Sequence, residues 1–288
     1  MNNDASLKLY DKIFTFEKTK QFNLTIEISF EGIVCVVYSP QHNKFIGLEK
    51  INDNIFFDSP LVGKQLYEIL VSYDIFKNPF NKISFLINTF DNIFIPSSLF
   101  DEKYKNYYCQ YYHPIESSFI EICADSLLSL NMVNLYYLNK NLKEVINKMF
   151  NKADIFHSST TLITGLFSMF KNNINEYTAF INLGVNYFNL IVIGQEGLIF
   201  FNSFKYKNPD DVLYHTLFVF EQFKLKQQTT PLYLAGEIDT NSEFYELLYK
   251  YIGKLHLLER NKEFDYSYVL DTVKEHLYFS AFNKELCA

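Results

Sequence analysis

Side chains suited to nucleophilic, acid–base or metal chemistry are thinly spread in this sequence. Its four cysteines, Cys35, Cys109, Cys123 and Cys287, form no CxxC pair and have no histidine at zinc-site spacing. Cys35 and Cys123 lie in apolar, strand-like runs, where a thiol serves as a small buried hydrophobe. His42, His113, His215, His256 and His276 fall in different elements, so no motif joins them. His157 precedes a Ser158-Ser159-Thr160-Thr161 run that opens a helical pattern, a place for a capping or locally satisfied ring rather than a base. GxxxxGK[ST], GxSxG, HExxH and EF-hand loops are absent, which removes the commonest motif-borne enzymes and leaves no catalytic residue and no metal ligand to nominate.

The elements that would have to position a site are easier to read. Leu24, Ile26, Ile28 and Phe30 alternate with Thr25, Glu27 and Ser29, a period of two that predicts a strand with one face inward. A turn at Glu31-Gly32, the apolar run Ile33 to Tyr38 and a third strand at Phe45 to Lys50 complete a meander. The stretch from Tyr177 to Lys207 repeats the design, with short Gly- and Asn-bearing turns between three apolar runs. Each meander is followed by a helix and another strand. Ser59-Pro60 opens the first helix and Asn208-Pro209-Asp210-Asp211 the second, with N-cap and Pro signals at both. The fourth strands are Lys82 to Asn88 and Pro231 to Leu234.

Between the copies lie strands at Phe119 to Cys123 and Val133 to Leu138, a helix from Asn139 to Asn151, and a helix ending near Phe170. A short strand is expected near Ile13 to Phe16, and an amphipathic helical tail over Tyr266 to Leu286. The Tyr-rich stretch Asp101 to Tyr112 has two readings: a loosely ordered helix with half-exposed rings, or a contact surface. The plan is thus α/β and duplicated, with a first domain over residues 1–152 and a second over 153–288. The terminal helix is a candidate to return to the first domain.

A chain of 288 residues with 48% hydrophobic residues can fill two cores. The 30 Phe and 22 Tyr, with no Trp, fit the codon bias of an AT-rich genome more readily than a binding device. A net charge of −7 repels phosphate backbones, so nucleic acid is not an expected partner. No apolar run reaches the ~20 residues of a membrane span, and Met1 to Lys20 lacks a signal-peptide core, so a cytosolic protein is expected.

This duplicated meander-helix-strand plan resembles the actin-like ATPase superfamily, whose fold is a pair of RNase H-like domains, each a mixed sheet flanked by helices. Ile95-Pro96, the aromatic second meander and the stretch from His276 to Cys287 look like an uncharacterised Bacteroidetes domain family of unknown function with that fold. In the superfamily, the first turn of each half cradles ATP phosphates, a nearby carboxylate holds Mg²⁺, and a later Gly meets the adenosine. The resemblance therefore marks Glu27, Ser29, Asn182, Gly184 and Gly236 as nucleotide-binding candidates. Departures from the pattern are specific. Asn182 stands where the family has Asp, Val185 and Tyr187 crowd the second turn, and Phe30 and Glu31 replace small hydroxyl residues in the first. Gly236 is a lone glycine that could simply make a turn, and Glu27 could be a solvated strand residue. The expectation is a non-catalytic protein with a degenerate nucleotide cleft and no cofactor, which binds an unidentified protein or assembles, as a homodimer or as filaments. The alternative is a nucleotide-binding member that takes ATP with Mg²⁺ and hydrolyses it weakly.

Overall fold

The computed structural model describes residues 7–112, 118–171 and 176–287. The chain groups into two compact units. The first comprises Met1–Gly165, Asn261–Val273 and Ser280–Ala288, and the second Leu166–Arg260 and Lys274–Phe279. Residues 153–165 thus group with the first unit.

In the first unit, β1 (Lys8–Tyr10), β2 (Asn23–Ser29), β3 (Gly32–Ser39), β4 (Lys44–Ile51), β5 (Lys82–Ile87) and β9 (Asp154–His157) form one mixed sheet. Its order is β1-β4-β3-β2-β5-β9, and β15 (Asp265–Tyr266) pairs with β4. β2 and β3 form a two-residue hairpin, and β5 runs parallel to β2. Helices α1 (Val62–Ser72) and α3 (Lys140–Met149) pack on each other. Leu66, Ile69, Leu70, Leu142 and Ile146 contribute to the core of the sheet. Between β5 and α3 the chain inserts a three-stranded antiparallel sheet of β6 (Asn92–Pro96), β7 (Ile120–Leu127) and β8 (Met132–Asn139), ordered β6-β8-β7. The Tyr-rich stretch is helical there, as α2 (Lys105–Tyr112). Cys109 is buried against Val133 and Leu135, while Tyr104 and Tyr107 are exposed.

In the second unit the order is β12-β11-β10-β13-β14: β10 (Tyr177–Leu183), β11 (Tyr187–Gly194), β12 (Gly197–Lys205), β13 (Leu232–Gly236) and β14 (Leu255–Leu257). Dropping β1, the first unit's order reads third, second, first, fourth, fifth strand, and so does the second's. The duplication expected from the two meanders is therefore present strand for strand. Helix α5 (Pro209–Gln222) begins with a reciprocal cap. Asn208 Oδ1 accepts from the Asp211 amide at 3.0 Å, and Asp211 Oδ2 accepts from the Lys207 amide at 2.8 Å. Helix α6 (Glu243–Tyr251) packs on α5 and is capped by Ser242. Helix α4 (Ser158–Phe170) follows β9.

Three expectations are corrected. The N-terminal strand is β1, ahead of the place read from Ile13 to Phe16, where a turn leads into a 3-10 helix. Helix α1 starts at Val62, because Ser59, Pro60 and Leu61 close a turn of their own, with the Val62 amide donating to Ser59 O at 3.2 Å. The tail is not one amphipathic helix. It holds 3-10 turns at Tyr268–Leu270 and Lys284–Leu286 and the four-residue α7 (Phe279–Phe282), with Tyr278 at φ 58 between them. Its backbone makes tertiary bonds instead of an i→i−4 ladder: His276 O accepts from the Gly236 amide.

Candidate functional site

Glu27 sits on β2, the strand flanked by β3 and β5, opposite Val34 on one side and Leu86 on the other. Period-two alternation correctly gives its face, but that face is covered: Asn23, Thr25 and Glu27 are all buried. A solvated carboxylate was one expectation, and the structure replaces it with one that is only 7% exposed. Asn88, just past β5, donates its side-chain N–H to Glu27 Oε1 at 3.0 Å, and its backbone amide donates to Ile28 O at 2.8 Å. Burial pushes the Glu27 carboxyl up to about 7, and the Asn88 bond offsets only part of that. Near neutral pH this group can give or take a proton.

Ser29 ends β2. Its hydroxyl donates to Gly32 O at 3.3 Å and accepts from the Glu31 amide at 3.2 Å, so both functions are spent inside the hairpin. A Cβ on Gly32 would lie 2.1 Å from Ile51 O, which explains the glycine by close approach of β4's end.

Further along the first unit lies a buried polar network that the motif search missed. Asp125 Oδ2 on β7 accepts from the His157 amide at 2.8 Å and from the Thr160 hydroxyl at 2.7 Å. Asn134 Nδ2 on β8 donates to Thr160 Oγ1 at 3.0 Å, and Asn92 Nδ2 on β6 donates to Asn134 Oδ1 at 2.9 Å. His157 Nδ1 accepts from the Ser159 amide at 3.1 Å, so Nε2 carries the proton and faces Thr89 Oγ1 at 3.2 Å. Burial pulls the His157 ring down to about 3 and pushes Asp125 up to about 6. The ring is neutral and satisfied, as its place beside the helix start suggested. Asp125 acts as a remote cap, tying the inserted sheet to the first turn of α4. The available signal was polar residues inside apolar strand runs: Asp125 in IEICADSL and Asn134 in MVNLYYL.

In the second unit, Asn182, Gly184 and Gly236 come together at one sheet end, where Asn182 pairs with Ala235 and Leu183 with Gly236. Asn182 Nδ2 donates to Asn189 Oδ1 at 3.3 Å and Asn189 Nδ2 to Ser203 Oγ at 2.9 Å, a polar ladder across three strands. The Gly184 amide donates to Tyr187 O at 2.9 Å, and Gly184 O accepts from the Tyr206 hydroxyl. Gly236 has φ +84, and a Cβ there would lie 2.1 Å from Leu183 O. Its amide donates to His276 O at 2.9 Å, while His276 Nε2 lies 2.8 Å from Ile238 O and Lys274 pairs with Asp239. Among the described residues, no group of three or more His, Cys, Asp or Glu is arranged to hold a metal ion. No helix among them is long and apolar enough to cross a membrane.

Residues 11–255 match the family described as "Protein of unknown function (DUF3822)". The chain belongs to this family. No curated protein matches the chain at a significant level. A crystal structure from Bacteroides thetaiotaomicron, of a protein with actin-like ATPase fold and unknown function, superposes with TM-score 0.75 at 20% identity, over 85% of this chain and 94% of that one. A PilM–PilN type IV pilus biogenesis complex superposes at 0.58 with 10% identity, over 92% and 98%. The ethanolamine utilization protein EutJ from Carboxydothermus hydrogenoformans superposes at 0.52 with 9% identity, over 97% and 93%. The fold of this family member is therefore the duplicated, RNase H-like fold of the actin-like ATPases.

Proposed function

We propose that the chain is a bacterial, cytoplasmic, non-catalytic protein of actin-like ATPase fold, whose nucleotide cleft has degenerated and which works by binding another protein. The observation that supports this most is the saturation of the candidate polar groups within their own units. The Gly184 and Gly236 amides donate to Tyr187 O and His276 O, and the Ser29 hydroxyl is used in its hairpin. Phosphoryl transfer needs free donors and a cation to neutralise developing charge. Here Asn182 is neutral, and Glu27 is buried and already held by Asn88. Neither is a ready magnesium ligand, so the residues present do not fit Mg-ATP. The structural neighbour described as a PilM–PilN type IV pilus biogenesis complex lends the binding role an analogy. A net charge of −7 argues against nucleic acid as the partner.

One observation favours a second reading, a nucleotide-binding member with weak ATP hydrolysis: a buried carboxyl titrating near 7 is suited to general acid–base work. Thermal unfolding with and without millimolar Mg-ATP separates the two. A ligand at 100 times its Kd stabilises by about 2.7 kcal/mol. No shift is expected; an upward shift that disappears in Gly184→Arg would replace the proposal with the second reading.

A further inference from the structure

Resting on the protein-binding function proposed above, we infer that the partner docks on an aromatic patch at the tip of the β2–β3 hairpin, through a segment with an apolar anchor flanked by Lys or Arg. Phe30 and Phe56 meet edge to face with ring centroids 5.6 Å apart, yet are 40% and 51% exposed, and Leu61 is 65% exposed. The loop that carries Phe56 and Leu61 is held along its length. Ile55 is fully buried, and its amide donates to Phe30 O at 3.0 Å. Gln65 receives the Phe56 amide at 3.3 Å and donates to Asn54 O. Asn139 Nδ2 donates to Phe57 O at 3.0 Å, and Asn141 Nδ2 to Pro60 O at 2.8 Å. Leu61 stands one helical turn before Gln65, on the same face. Apolar groups fixed in place beforehand have little rotamer and loop entropy left to lose on binding, which is how anchor sites gain affinity.

The rim gives the partner's sign. The loop of residues 52–61 carries Asp53 and Asp58, on either side of Ile55 and Phe56, and no Lys or Arg. The one lysine of α1, Lys64, is paired with Glu68 at 3.7 Å. Two carboxylates in the loop that carries Phe56 favour a basic segment. They disfavour a second copy of this chain, which would bring acid against acid with −7 on each side.

The test is fluorescence anisotropy of a labelled amphipathic peptide of leucine and lysine against the full chain, with a leucine–glutamate peptide of the same pattern as control. Saturable binding of the lysine peptide is expected, weakened about thirtyfold in Phe30→Ala/Phe56→Ala. About half of each ring is exposed, so that variant should stay folded with a modestly lowered unfolding temperature, which is measured alongside. Asp53→Lys/Asp58→Lys should move the preference to the glutamate peptide. Absence of binding, equal binding by the alanine variant, or equal binding of both peptides would overturn the inference. So would a dimer in sedimentation that Phe56→Ala dissolves, which makes the occupant a second copy. Binding to neutral phosphatidylcholine vesicles lost in the same variant would make it a lipid surface. Mg-ATP stabilisation would refute the non-catalytic function and leave these binding arms standing; failed peptide binding without that stabilisation refutes the docking surface alone.

Discussion

Replacing Glu27 by Gln should make the protein relatively more stable as pH rises. Burial lifts the Glu27 carboxyl from 4.5 to about 7. At about 1.36 kcal/mol per pH unit, that is about 3 kcal/mol of destabilisation once the group is ionised in the fold. The sign follows from the raised value: its stabilising contribution is whole below the unfolded carboxyl's pKa and is lost as pH climbs through the folded one. Gln cannot ionise. It keeps an oxygen for Asn88 Nδ2 but brings an amide into a buried site, at a cost of about 1–3 kcal/mol that does not depend on pH. The difference between variant and parent at a single pH therefore mixes two effects, whereas its change with pH isolates one. Between pH 5 and 8.5 the parent should lose roughly 2–3 kcal/mol relative to Glu27→Gln, the part of the linkage that this window spans. Other titrating groups are common to both chains and cancel. Urea unfolding at the two pH values measures it, with tyrosine fluorescence as reporter, since the chain has 22 Tyr and no Trp. A variant-to-parent difference that is flat across the window, or that moves toward the parent, would show that Glu27 is not the buried, desolvated acid described here.

Gly236→Ala should cost about 2 kcal/mol or more in thermal unfolding, because its Cβ meets Leu183 O at 2.1 Å in a left-handed backbone. Gly197→Ala, at φ +122 with open space around it, should cost about 1 kcal/mol; equal losses at both would refute the close-approach account. Asp125→Ala strands the His157 amide and the Thr160 hydroxyl, and should destabilise by about 2–4 kcal/mol. Amide exchange at the start of α4 should quicken with it, and unchanged exchange there would deny the remote cap. Burial raises the thiol pKa at all four cysteines, to about 11 at Cys109 and about 12 at Cys123. The native protein should therefore react slowly with Ellman's reagent at pH 7.5, releasing its four thiols promptly only after denaturation; a fast-reacting thiol in the native state would contradict this.

The duplicated plan was legible because it rests on local rules. Alternation along Leu24 to Phe30, the turn at Glu31-Gly32 and the Asn208-Pro209 helix start each act within a few residues, and each is found where it was read. What covers a face is a tertiary fact. The same alternation that placed Thr25 and Glu27 on one side could not say that this side is closed as well, nor that Asn23 donates to Glu285 of the tail, 262 residues away. The tail failed for a related reason. Val269, Val273, Leu277 and Phe282 have near-helical spacing, but Gly236 and Ile238 offer its residues bonds that a continuous helix could not make. The glycines and the serine at these strand ends, in turn, have structural causes of their own. Gly236 is needed where β13's end crowds Leu183, Gly32 where β4's end crowds the hairpin, and the Ser29 hydroxyl closes its own turn. A glycine or serine at a strand end of this fold therefore says little about ligands until its amide, hydroxyl and left-handed φ have been accounted for inside the chain. Applied to Phe30, the same accounting comes out the other way: Ile55, Gln65, Asn139 and Asn141 hold the loop against it, while the side chain is left 40% exposed.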